Sequence, residues 1–90
     1  MNHTTLIDID KNIYHRISKQ RAIARQIAGG NVYILPCLAR TPSLMYSAPQ
    51  CIPNELRTLN TIAAFINAYT WSNCNDELGY YIAYYIKEGE

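Results

Sequence analysis

The apolar positions of this chain follow a clear helical rhythm in one place and an ambiguous one in another. From Pro53 onward, Leu56, Leu59, Ile62, Ala63, Phe65, Ile66 and Tyr69 recur at the period of one helix face, while Arg57, Asn60, Thr61, Ala64 and Asn67 fall on the other. Asn54 suits the cap and Glu55 the positive end of the helix dipole, so the pattern predicts a helix over residues 55–70. A second helix is predicted over residues 75–87. Asn73 or Asn75 caps it, Asp76 and Glu77 occupy its first turn, Lys87 its last, and Gly89 ends it.

Residues 12–38 fit two patterns. Ile13, Ile17, Ala24 and Ile27 line one face of a helix ending at Gly29-Gly30. Against this, β-branched and aromatic residues recur in 13–18, 22–28 and 32–38, and Gly29-Gly30-Asn31 is hairpin chemistry. We take the strand reading, although Arg25 shares a face with Ile23 and Ile27, and Pro36 restricts the third strand to an edge or ends it early. The expected fold class is α+β: a three-stranded antiparallel meander packed by two C-terminal helices, in a single small domain over residues 1–90. The alternative is a mostly α fold with residues 11–28 helical. Residues 39–53, with Pro42, Pro49 and Pro53 among sizeable apolar side chains, read as a flap loop.

Composition narrows the class. About half of the 90 residues are apolar and few are Gly or Pro, which suits one folded core. Cys37, Cys51 and Cys74 are odd in number and lack a C-x-x-C spacing, so neither a full disulfide framework nor a structural zinc site is expected. The start of the chain lacks a basic-then-apolar leader, and no segment approaches the roughly 20 apolar residues that span a bilayer. The expectation is a cytoplasmic protein.

Charge changes the picture more. The net +1 conceals an acid-free stretch, residues 11–54, holding Lys11, Arg16, Lys19, Arg21, Arg25 and Arg40. From Glu55 onward acids outnumber bases, which predicts an electrically two-sided molecule.

The parts for catalysis are few. His3 and His15 stand in no recognisable motif, and Asp8-x-Asp10 lacks the downstream oxygen donors of a metal loop. Gly29-Gly30 is followed by Asn-Val-Tyr-Ile rather than by a phosphate-binding Lys-Ser. The three thiols are the remaining nucleophiles, and no histidine is spaced to activate one. No catalytic residue, metal or cofactor is therefore expected, and the chain reads as a non-enzymatic binding module.

Two features mark a partner surface. On the expected C-terminal helix, Leu78, Tyr81, Ile82, Tyr85 and Ile86 form the core-facing arc, and Tyr80 and Tyr84 point nearly opposite, where they would meet a partner protein or a second copy of the chain. The second feature is basic: Arg16, Lys19, Arg21 and Arg25 suit an acidic protein surface or, as an alternative, nucleic acid.

The runs Arg21-Ala-Ile-Ala-Arg-Gln-Ile, Val32-Tyr-Ile-Leu-Pro-Cys-Leu-Ala-Arg and Leu56-Arg-Thr-Leu-Asn-Thr-Ile-Ala-Ala-Phe-Ile resemble the strand-strand-helix layout of small early-region proteins of P2-like temperate bacteriophages. The resemblance covers about residues 12–70. It implies an accessory protein that binds and modulates or inhibits a host protein, and it carries over no site residues.

Overall fold

The computed structural model describes residues 5–8, 10–38, 49–73 and 80–90. The chain forms β1 (Thr5–Ile7), β2 (Ile13–Ile17), α1 (Lys19–Ile27), β3 (Tyr33–Leu38), β4 (Gln50–Cys51), α2 (Leu59–Asn73) and β5 (Tyr80–Lys87). The fold is α+β, with a five-stranded sheet in the order β1-β2-β5-β3-β4 and every neighbouring pair antiparallel.

Local chemistry sets the first half. Asp8 closes the β1–β2 hairpin: Oδ1 accepts from the amides of Asp10 and Asn12, and Oδ2 accepts from Asn12 Nδ2 and the Tyr14 hydroxyl, all at 2.9–3.0 Å. Asp8 is thus an internal fastener of the turn, with Lys11 adopting φ 65° within it. Ser18 then caps α1, its Oγ accepting from Arg21 N at 3.2 Å. The helix ends in a Schellman turn, where Gly29 N donates to Gln26 O and Gly30 N to Arg25 O while Gly29 takes φ 91°.

The middle strand of the expected meander is therefore a helix. Gly29-Gly30 is its C-terminal stop rather than a hairpin turn, and the misplaced Arg25 sits without conflict on its last turn. The helical alternative over residues 11–28 holds for Lys19–Ile27, while Ile13–Ile17 is a strand. β3 continues through Pro36 to Leu38. It tolerates the proline where β4 no longer pairs with it, since β4 meets only Tyr33 and Ile34.

The expected helix over 55–70 is present but begins later, at Leu59. Gln26, fully buried on α1, donates through Nε2 to Pro53 O at 2.8 Å and Leu56 O at 3.0 Å, committing those carbonyls to a turn. Thr58 and Thr61 then exchange side chain-to-amide bonds at 3.2 Å, a reciprocal cap for α2.

The largest correction concerns the C-terminus. Over Tyr80–Lys87 the expected second helix is strand β5, hydrogen-bonded to β2 on one side and β3 on the other at the centre of the sheet. Its sequence, Tyr-Tyr-Ile-Ala-Tyr-Tyr-Ile-Lys, is apolar at nearly every position, so a helical wheel finds a stripe in it. The same composition suits a strand buried on both faces. β2 and β3 run parallel to each other, are joined by α1, and accept β5 between them.

β5 divides two cores. Tyr84 joins Ile17, Val32, Ile34 and Ile52 under Ala22 of α1 and Ile62, Ile66 and Tyr69 of α2. On the opposite face, Ala83 and Tyr85 cluster with Tyr14, Tyr33 and Leu35. Both helices thus cover one face of the sheet. Among the described residues, no helix is long and apolar enough to cross a membrane. Residues 39–48 of the expected flap lie outside the described residues; Pro49 is buried and Gln50–Cys51 form β4.

Candidate binding cleft

Packing α1 and α2 side by side on a twisted sheet leaves an opening at the head of α1, where the chain leaves β2. It is a cleft of about 770 Å³. Ser18, Lys19 and Arg21 form one wall, Asn67 and Thr70 of α2 the other, and Ile17, Ile66, Ile82 and Tyr84 lie between, with Arg16 at the β2 end. Lys19 and Arg21 bring positive charge to a lining that holds no acid.

The electrostatics reinforce one another. The first turn of α1 contains no acidic residue, so its own side chains leave the positive end of the helix dipole uncompensated. Lys19 and Arg21 add charge to that end and are both exposed, without an ion-pair partner among the described residues. Tyr84 is buried to all but 7% of its surface, and its hydroxyl has no hydrogen-bond partner among the described residues. Burial pushes its ionisation above the usual tyrosine value, so it stands in the cleft as a neutral O–H.

A smaller, mainly apolar groove of about 190 Å³ runs between the helices, lined by Ile23, Leu59, Ile62 and Ala63. It shares Lys19, Ile66 and Asn67 with the cleft, so a charged end opens into an apolar one. Leu59, at its far rim, is 63% exposed.

Of the residues singled out in the sequence, Arg16, Lys19, Arg21 and Tyr84 line this one cleft. Their roles differ from expectation. Tyr84 is a core residue of a central strand rather than an exposed ring on a helix, because strand alternation turns it toward α1 and α2. Tyr80 starts β5 opposite Leu38 in the register, and its side chain lies outside the described residues. Arg16 directs its guanidinium to the other sheet face, 5.3 Å from the centre of the Tyr81 ring, with Nη1 3.4 Å from the Tyr81 hydroxyl. Arg25 is spent on structure, donating to Asn31 O at 2.8 Å and to Glu90 O at 3.2 Å. The exposed C-terminal helix on which a dimer contact was expected is, over Tyr80–Lys87, a strand with neighbours on both sides.

No family model matches the chain, and no curated protein or solved structure matches it. The cleft must be read on its own chemistry.

His15 Nε2 lies 3.3 Å from Glu88 Oε1, but both side chains are exposed and neither lines the cleft. Burial, then the charge of Glu90, pushes the Cys51 thiol above its usual value, the opposite of an activated nucleophile. Among the described residues, no group of histidines, cysteines and acids is arranged to hold a metal. Ser18, Asn67 and Thr70 were missed in the sequence. Ser18 was legible as a helix cap, but only to a reading that placed a helix after it.

Proposed function

We propose that the chain is a non-enzymatic binding module that grips an acidic, apolar-flanked segment of a host protein and so modulates or inhibits that protein. The observation that carries this is the convergence of Lys19, Arg21 and the head of α1 on an acid-free cleft continuous with an apolar groove. The resemblance to small phage early-region proteins fits such a role, as an accessory protein acting in the bacterial cytoplasm. An apolar groove beside the cations favours a protein over nucleic acid, whose backbone asks for a continuous basic track. Arg16 and Arg25, engaged elsewhere, do not extend one.

The test is capture from a bacterial lysate with tagged protein, in nuclease-treated and untreated halves. The reading expects a protein that survives nuclease, is lost with Lys19→Glu/Arg21→Glu, and is retained with Lys11→Glu, which alters an exposed charge on the β1–β2 turn. Recovery that depends on nucleic acid moves the basic residues to the nucleic-acid alternative. Equal capture by both variants removes the cleft from either reading.

A further inference from the structure

We infer that the outer face of α2 is the contact surface for a second copy of this chain, with Trp71 of each copy seated in the apolar groove of the other. The inference stands apart from the host-protein reading, although a host segment that used the groove would compete with the second copy for it.

Leu59, Ala63, Asn67 and Trp71 follow one another at every fourth residue, so they form a single exposed ridge along α2. Its two ends are large and apolar, Leu59 being 63% exposed and Trp71 89% exposed, while its middle is small. Scattered exposed apolar residues are ordinary on a protein surface. This ridge instead borders the open apolar groove of about 190 Å³, which has Leu59, Ala63 and Asn67 on one side and Ile23 of α1 on the other. One ridge thus carries an exposed indole and the rim of an unfilled apolar hollow.

Symmetry makes a second copy the occupant. When two α2 helices lie antiparallel across a two-fold axis at the middle of the ridge, Leu59 of each faces Trp71 of the other and Ala63 faces Asn67, since both pairs lie evenly about Phe65 in the sequence. The small central residues let the helices approach, which brings each indole to the groove beside Leu59 of the other copy. Charge agrees with this pairing. A surface helix that met only water would ordinarily carry charged residues on its outer face, yet α2 has none in its 15 residues. The two-fold axis therefore sets no like charges together on α2, and the antiparallel helix dipoles attract. Beyond the Leu59 end stands exposed Glu55, and beside Asn67 and Thr70 stand Lys19 and Arg21, so the acid of each copy approaches the cations of the other.

Trp71 is the single tryptophan of the chain, so its fluorescence reports this contact directly. One helix and one groove make a small interface, and dissociation is expected between about 1 µM and 1 mM. The experiment is sedimentation equilibrium of the full chain across that range, with tryptophan emission recorded on the same samples. The mass is expected to double along the same concentration curve that moves the emission to the blue. Leu59→Ser weakens the association at least about tenfold. Ala63→Glu and Ala63→Lys, at an exposed helical position, each remain monomers alone and form a dimer when mixed, which a contact across a two-fold axis near Ala63 requires. A chain that stays monomeric to about 1 mM, a dimer whose emission does not move, or Ala63 charge variants that dimerise like the wild type overturns the inference. Host-protein capture that is lost with Lys19→Glu/Arg21→Glu would survive any of these results, so the two readings fall separately.

Discussion

The rings of Tyr14 and Tyr33 meet edge to face with centroids 5.2 Å apart, although they belong to β2 and β3, which β5 separates. Each hydroxyl is held by a carboxylate from a turn or terminus: Tyr14 by Asp8 at 2.9 Å and Tyr33 by Glu90 at 2.7 Å. The aromatic pair therefore bridges the sheet on the face away from the helices, and both of its polar ends are tied down.

This arrangement predicts an alkaline limit to the fold. Burial, then the hydrogen bond and charge of Asp8, pushes Tyr14 up to about 12 from the ordinary 10.0, and burial with Glu90 raises Tyr33 as well. Both titrate higher folded than unfolded. Their contribution is complete below pH 10 and is lost as pH rises through the folded values. Urea midpoints measured between pH 9 and 12 should fall for the wild type and fall less for Tyr14→Phe/Tyr33→Phe. Parallel curves refute the linkage.

Gln26 should be among the most sensitive polar positions. Gln26→Ala removes the side-chain donor of the Leu56 carbonyl, leaves the Pro53 carbonyl with the Leu56 amide alone and opens a cavity, for an expected loss of about 2–4 kcal/mol by chemical denaturation. Gln26→Glu should cost more at pH 7, because it sets a charge against two carbonyl oxygens. It should recover part of the loss toward about pH 4.3, where the carboxyl is neutral.

Gly29→Ala is expected to destabilise by about 1–2 kcal/mol, since φ 91° places a Cβ in the left-handed region. Its Cβ would also stand 3.3 Å from Arg57 Nη2. Thermal denaturation measures the cost. An unchanged midpoint would mean that the turn ending α1 has another conformation.

Stability and binding should separate at Lys19. Lys19→Glu places an acid in the first turn of α1 and is expected to stabilise by about 0.3–1 kcal/mol while removing partner capture. A variant both less stable and less able to bind would tie the lysine to folding instead.

Much of the helix-covered face was legible in order of residues. The 3.6-residue stripe of Ile62, Phe65, Ile66 and Tyr69 marked α2, β-branched and aromatic density marked β3, and the acid-free run pointed to the cations that line the cleft. Less visible was the start of α2, because the carbonyls that delay it are bound by Gln26, thirty residues earlier for Leu56. The tyrosines were read on a helical wheel, so Tyr84 was expected as an exposed ring, whereas strand alternation makes it a buried core residue.

By itself the sequence determined which segments are apolar and where the charge lies, since those follow from side-chain chemistry alone. It determined the ends of α1 only in part: Ser18 and Gly29 are competent stops, yet Gly29 serves a hairpin equally well. Only the tertiary structure decided that Tyr80–Lys87 is a strand. A short run apolar at nearly every position satisfies a period of 2 as readily as one of 3.6, and the choice falls to whatever accepts its backbone hydrogen bonds. Here β2 and β3 flank it on both sides, burying Ala83 and Tyr85 on one face and directing Tyr84 into the cleft on the other.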